Sequence, residues 1–158
     1  MQFRLASPSE RPALEPLIVA SFEPITWFKK VDARFGPLNG HDWRDRWRLR
    51  LDKVFASQII LAGEHEGAIA AVSTGAYESE TRLGFIDLLA VSPSFQGHGF
   101  GREMLRAMVE HFRQLGARHV HLDCLTDNAK GMSLYGAEGW TPIAESMHWF
   151  LEIPDPAP

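Results

Sequence analysis

Apolar positions along this chain recur with two periods, and each period marks a kind of element. Between His41 and Ala56, Trp43, Trp47, Leu51 and Val54 return at spacings of four, four and three, which predicts a helix. Arg44, Arg46, Arg48 and Arg50 fall largely on its other faces. From Gly101 to Leu115, Met104, Met108, Phe112 and Leu115 form one stripe that Leu105 and Val109 widen, and Gly116 stands where such a helix ends. A first helix is expected from a cap at Ser7 or Ser9 to about Phe22, with Pro8 or Pro12 in its opening turn, where a missing N–H costs little. A short helix is expected from Asn128 to about Ala137. Strand character marks Met1 to Ala6, Gln58 to Ala62, Ala68 to Tyr77, Gly84 to Val91 and His119 to Leu125, and Trp140 to Ile153 is expected to supply one or two final strands. Glu64-His65-Glu66-Gly67 reads as a hairpin turn, and Pro24, Gly36, Pro37 and Gly40 punctuate a loop between the first two helices. Strand and helix alternate from Gly84 onward, which favours α/β organisation with some parallel pairing.

Composition narrows the class. The 158 residues suit one domain, taken as 1–153, followed by a flexible tail over 154–158. Hydrophobic residues make up 45% and charged residues 23%, which disfavours disorder and disulfide scaffolds. A net charge of −4 argues against a nucleic-acid partner. Cys124 is the single cysteine, so an intrachain disulfide and a multi-cysteine zinc site are excluded. The longest early apolar run, Leu17 to Phe22, is too short for a signal core or a membrane span, and a soluble, cytoplasmic protein without a membrane partner is expected.

The most informative stretch is Ser94-Phe95-Gln96-Gly97-His98-Gly99-Phe100-Gly101-Arg102, between a strand and an amphipathic helix. Glycines let the backbone turn tightly and approach a ligand, and the helix start offers unpaired N–H groups and partial positive charge. Together these make an anion site suited to phosphate. The dinucleotide pattern G-x-G-x-x-G and the Walker A pattern both fail here, whereas Gln96-x-x-Gly99-x-Gly101 stands intact.

These residues resemble the GNAT superfamily of N-acetyltransferases. Its acetyl-CoA loop, Arg/Gln-x-x-Gly-x-Gly/Ala after a strand ending in Val-x-Pro, matches Val91-Ser92-Pro93 followed by Gln96, Gly99 and Gly101. Its downstream segment matches at Asn128, Leu134, Tyr135 and Gly139, with Gly131 in place of a small alanine and Trp140 in place of phenylalanine. The resemblance covers roughly Gln58 to Ile153 well, and the N-terminal third only in layout.

The resemblance implies a central mixed, mostly antiparallel sheet of six or seven strands, splayed in its middle and flanked by about four helices. It implies acetyl-CoA as acyl donor and a small-molecule or peptide amine as acceptor, joined by direct transfer. A non-catalytic acyl-CoA-binding module of the same fold is the alternative. Backbone N–H groups of Gln96, Gly97, His98, Gly99, Phe100, Gly101 and Arg102 would hold the pyrophosphate. The backbone of Leu89, Ala90 and Val91 would pair with the pantetheine arm, one N–H facing the thioester carbonyl as in an oxyanion hole. Asn128 matches a cofactor-contacting position and is also a natural helix cap. Tyr135 matches the general acid for the departing thiolate. Asp87, placed by period-two alternation on one face with Phe85, Leu89 and Val91, is read as base or substrate anchor, with an arginine partner as its structural alternative. Trp27, Phe28 and Tyr77 are candidates for the acceptor pocket. His119 and His121 share a strand face but do not amount to a metal site, no metal is expected, and Cys124 reads as core packing. A final strand pairing between subunits would make a homodimer.

Overall fold

The computed structural model describes residues 1–154, so all but the first residue of the expected 154–158 tail lie outside the described residues. In chain order the elements are β1 (Gln2–Leu5), a 3-10 turn (Pro8–Glu10), α1 (Arg11–Phe22), α2 (Trp27–Phe35), α3 (Trp43–Ser57), β2 (Ile59–His65), β3 (Ala68–Glu78), β4 (Leu83–Val91), a second 3-10 turn (Pro93–Phe95), α4 (Phe100–Leu115), β5 (His119–Leu122) and α5 (Ala129–Ala137). The strands form one sheet in the order β1-β2-β3-β4-β5, antiparallel except for the parallel β4–β5 pair. This is the mixed, mostly antiparallel sheet anticipated, with five strands among the described residues instead of six or seven, and five α-helices instead of about four.

Two differences have clear physical causes. The punctuated loop after Pro24 contains α2: Thr26 caps it by accepting from Phe28 N–H (3.3 Å), Val31 is buried, and Gly36 follows its end with φ 76°. The cap, the Phe28/Val31/Phe35 spacing and the terminal glycine were present as signals. The expected final strands do not form. Residues 141–154 carry no regular structure; His148 stacks on Trp27 (4.8 Å) and Phe150 packs on Phe35 (5.0 Å), leaving Trp149 86% exposed. An alternating apolar pattern makes a strand only where a partner edge lies beside it, and this segment lies across α2 instead.

The sheet divides the core. On one face α1 and α3 bury Leu14, Ile18, Trp47 and Leu51 against Ile60, Val72, Leu88 and Ala90. On the other α4 buries Met104, Leu105, Met108 and Phe112 against Leu61, Ala71 and Ile86. The predicted α4 stripe holds except at Leu115, which is 43% exposed at the helix end, while Phe100 joins the buried set at its start.

β4 changes face partway. Ile86 faces α4, yet Leu88, two residues on, faces α1 and α3. The register explains it: Gly75 opposes Ile86 and Thr74 opposes Leu88, so Asp87 is the extra residue of a β-bulge. The expected grouping of Phe85 and Asp87 with Leu89 and Val91 is therefore wrong, because one inserted residue resets a period-two pattern. Leu89 and Val91 do share the α4 side, in company with Ile86.

Candidate functional site

The bulge sits where β4 loses its neighbour. Pairing with β5 runs from Leu83↔His119 to Ile86↔Leu122 and stops. Beyond it β4 continues to Val91 bonded only to β3, while the chain after Leu122 leaves the sheet. A bulge bends and twists its strand, so the two parallel strands splay and a gap opens beside Leu88–Val91.

Hydrogen-bond alternation decides which backbone groups face that gap. Ser92 N–H donates to Ala70 O (2.9 Å). Val72 and Ala90 are then the next hydrogen-bonded pair, so Ala90 turns its amide toward β3 while Leu89 and Val91 turn theirs outward. Val91 is already engaged: its N–H donates to Ser21 Oγ (3.2 Å) and its carbonyl accepts from Gln96 Nε2 (3.3 Å). Among the described residues the Leu89 N–H, turned toward the gap, has no hydrogen-bond partner.

The glycine loop adjoins this edge. Gln96 N–H is used by Pro93 O (3.4 Å) and Arg102 N–H by Gly99 O (3.0 Å). The five N–H groups between them, from Gly97 to Gly101, have no hydrogen-bond partner among the described residues. Gly97 and Gly99 take φ of 84° and 82°, a backbone region costly for other residues, and a side chain at either would meet open space. Five unpaired donors, open space above the glycines and the start of a sixteen-residue helix fit a pyrophosphate group. The seven-residue expectation thus narrows: Gln96 ties the loop to β4, and the Arg102 side chain pairs with Glu138 (2.7 Å).

α5 closes the far wall. Asn128 caps it, its side-chain oxygen accepting from Gly131 N–H (3.1 Å), while its Nδ2 approaches Cys124 Sγ (3.6 Å). A Cβ at Gly131 would lie 2.6 Å from Asn128 Nδ2 and 3.0 Å from Cys124 Sγ, which accounts for glycine there. Gly101 lies between Val91 and Leu134, so the α4 start, the β4 end and α5 meet. Tyr135, like Leu89, Val91 and Leu134, packs against the α4-side core. Burial, with a push from the Cys124 thiolate, raises its phenol from 10.0 to about 12. The phenol therefore keeps its proton at neutral pH, as a proton donor must. Glu138, at the end of α5, binds Arg102 and Arg106 of α4 and is held below the usual carboxylate range by Arg106 first. No motif reading had singled out Glu138 or Ser21.

The remaining candidates divide. Asp87 accepts from Arg50 and from Gln58 Nε2 (2.9 Å), while Gln58 Oε1 accepts from Thr74 (2.7 Å) and Arg50 lies over Trp47 (4.9 Å). Both carboxylate oxygens are thus taken, the arginine-partner arrangement. Trp27 and Phe28 open α2, with Phe28 packed toward Trp47, on the sheet face opposite Tyr135. Tyr77 lies elsewhere: it opposes Gly84, and its hydroxyl lies beside Gly116 at the end of α4. Seven residues of strand separate Gly84 from Val91, about 23 Å. Cys124 is half-buried, and burial raises its thiol. Among the described residues no group of three or more His, Cys, Asp or Glu is placed to hold a metal ion, and no helix is long and apolar enough to cross a membrane.

Comparison with known proteins meets this geometry. Residues 24–140 match the model of the acetyltransferase (GNAT) family. A mycothiol acetyltransferase of Geodermatophilus obscurus is 33% identical over 72 residues, 46% of this chain and 23% of that protein. One of Nocardiopsis dassonvillei is 26% identical over 149 residues, 84% of this chain and 43% of that protein. The chain thus spans less than half the length of these curated relatives. An aminoglycoside N-acetyltransferase solved in complex with CoA shares the fold, with a TM-score of 0.64 over 96% of this chain and 100% of that one, at 11% identity.

Proposed function

The chain belongs to the GNAT family of acetyltransferases, and we propose that residues 1–153 form one domain that moves an acetyl group from acetyl-CoA to a primary amine. The observation that carries this reading is the open stretch of β4 from Leu88 to Val91, lying beside the unpaired donors of the glycine loop. Acetyl-CoA, the donor of this family, supplies a thioester whose acyl carbon takes up the amine nitrogen as the thiol departs. The chain's own residues bind, orient and move a proton. The Gly97–Gly101 N–H groups hold the pyrophosphate and, with Gln96 tying the loop to β4, fix the donor's entry. Leu89 N–H faces the carbonyl oxygen and stabilises the charge that develops there. Tyr135 delivers its proton to the departing sulfur, and the proton that the nitrogen sheds as the amide forms passes through solvent to restore the phenol. Asp87, with both oxygens occupied, holds the bulge that opens the gap, and is a positioning residue in this reading, not the base. Trp27 and Phe28 border the acceptor side. A homodimer is part of the proposal, carried by the free outer edge of β5 and the bare apolar positions Met147, Trp149, Leu151 and Ile153, and sedimentation tests it.

Calorimetric titration with acetyl-CoA, with ATP and NAD as controls, followed by thiol release across a panel of primary amines, tests the reading. Acetyl-CoA binding with amine-dependent thiol release is expected. Binding without release from any amine would turn the reading to an acyl-CoA-binding module, and no binding by the folded protein would remove it.

A further inference from the structure

A cleft of about 160 Å³ has Glu23, Pro24, Ile25, Lys29, Lys30 and Asp127 among its lining residues. Its neighbours along the chain place it beside the splayed gap. Ser21, two residues before Glu23, meets Val91 on the β4 wall. Asp127 precedes the α5 cap, Asn128, on the opposite wall. The cleft therefore adjoins the gap on the side of α2, and two of its lining groups, the Lys30 ammonium and the Asp127 carboxylate, pair with each other.

Lys30 carries there the functional group expected of the acceptor, a primary ammonium on an alkyl chain. The pair is exposed, 61% for Lys30 and 59% for Asp127, so it is weakly held and open to exchange. An incoming ammonium that replaces Lys30 on Asp127 makes the same contact and returns Lys30 to water. Glu23 is less suited to that task, because its Oε1 is shared by Lys29 and Arg44. Pro24 and Ile25 give the cleft an apolar side, and with Glu23 already paired the Asp127 carboxylate is the exchangeable anion of the lining, which suits a single positive charge.

We infer that Asp127 is the entry anchor for the acceptor's ammonium, that Lys30 is its internal competitor, and that the acceptor is a singly charged primary amine with an apolar body. The inference rests on the acetyltransferase reading and adds the residue that captures the amine before it is deprotonated in the gap.

The test uses phenethylamine as probe and 2-phenylethanol as uncharged control, titrated calorimetrically into the native chain, Lys30→Gln and Asp127→Asn, each first titrated with acetyl-CoA. Phenethylamine should bind Lys30→Gln about threefold more tightly than the native chain. It should bind Asp127→Asn about threefold to fivefold more weakly, and 2-phenylethanol should distinguish none of the three. The opposite signs are the signature, since a merely structural ion pair loses the same thing from either side. Shifts in the same direction, indifference to Asp127, or no phenethylamine binding in any of the three overturns the inference. The acetyl-CoA arm keeps the two readings apart: intact donor binding leaves the family reading standing when the anchor fails, and absent donor binding removes both.

Discussion

The two walls of the splayed gap are built from different materials. On the donor wall the working groups are main-chain: five N–H groups from Gly97 to Gly101 and the Leu89 amide, all without partners among the described residues. On the wall proposed for the acceptor they are side-chain charges, and they have already found one another: Lys30 with Asp127, Lys29 and Arg44 with Glu23, Arg50 with Asp87. A backbone site presents the same donors whatever side chains surround it and is set by a few glycines with positive φ. A charge-paired site is set by which surface residues the tertiary fold brings together, and each of its ligands must first displace an internal partner. One wall is fixed in advance for a constant ligand; the other can be re-specified by exchanging a few ions.

The largest effect expected lies between the walls. Tyr135→Phe should lower turnover about a hundredfold or more while acetyl-CoA affinity stays within about twofold. Equal losses in both would make Tyr135 a packing residue of the donor wall. Because the phenol is pushed up to about 12, the ratio of native to Tyr135→Phe turnover should stay flat from neutral pH to about 10. A ratio that collapses below pH 10 would assign the proton to another group. The same shift has a stability consequence. Up to pH 10 both folded and unfolded phenols keep their protons; between 10 and 12 the unfolded one ionises first, so the fold weakens across that window.

Two glycine substitutions sharpen the contrast. A Cβ at Gly75, opposite the bulge, would lie 2.1 Å from Phe85 O and 2.9 Å from Phe112 Cζ. Gly75→Ala should therefore cost about 3 kcal/mol in a denaturant melt, because backbone cannot move aside cheaply. A Cβ at Gly97 meets nothing, yet its φ of 84° makes Gly97→Ala cost about 1–2 kcal/mol and weaken acetyl-CoA binding together. If Gly97→Ala binds acetyl-CoA like the native chain, the loop is a structural turn and the donor wall loses its distinguishing feature.

That division also decides what the sequence disclosed. The glycine loop, the α4 stripe and the Asn128 cap were legible because each is local: a glycine, a cap or a period states its own conformation, whereas Tyr135 was singled out only through the family resemblance. The faces of β4 were not, since a bulge at Asp87 is a matter of register with Gly75 and Thr74 on another strand. Asp87 itself drew notice as a carboxylate in an apolar strand, but its arginine comes from α3, thirty-seven residues earlier. The distance of Tyr77 from the open edge of β4 was hidden for a similar reason, because strand membership does not tell which end of the sheet a residue occupies. The final strands failed where the pattern was present and the partner was not. Gly131 shows the converse: its departure from a small alanine makes sense only beside Cys124 and Asn128.

The smallest effect expected is at Ser21, where the walls touch. Its hydroxyl occupies the Val91 N–H, one of the two outward-facing amides of the open edge, so α1 holds a group that the donor's pantetheine arm would pair with. Ser21→Ala removes one neutral hydrogen bond, about 1 kcal/mol of stability, and leaves the amide facing the gap. If the hydroxyl only satisfies a donor that acetyl-CoA later claims, the variant should bind acetyl-CoA about threefold more tightly, since nothing has to be displaced. If Ser21 instead holds the end of β4 in register with the loop, affinity should fall and the loss should grow in the Ser21→Ala/Gln96→Ala double variant, which frees both Val91 groups. Non-additivity in that pair would mean that the backbone wall, too, depends on side chains from the acceptor side, and the separation drawn between the two walls would then hold for the loop but not for the strand.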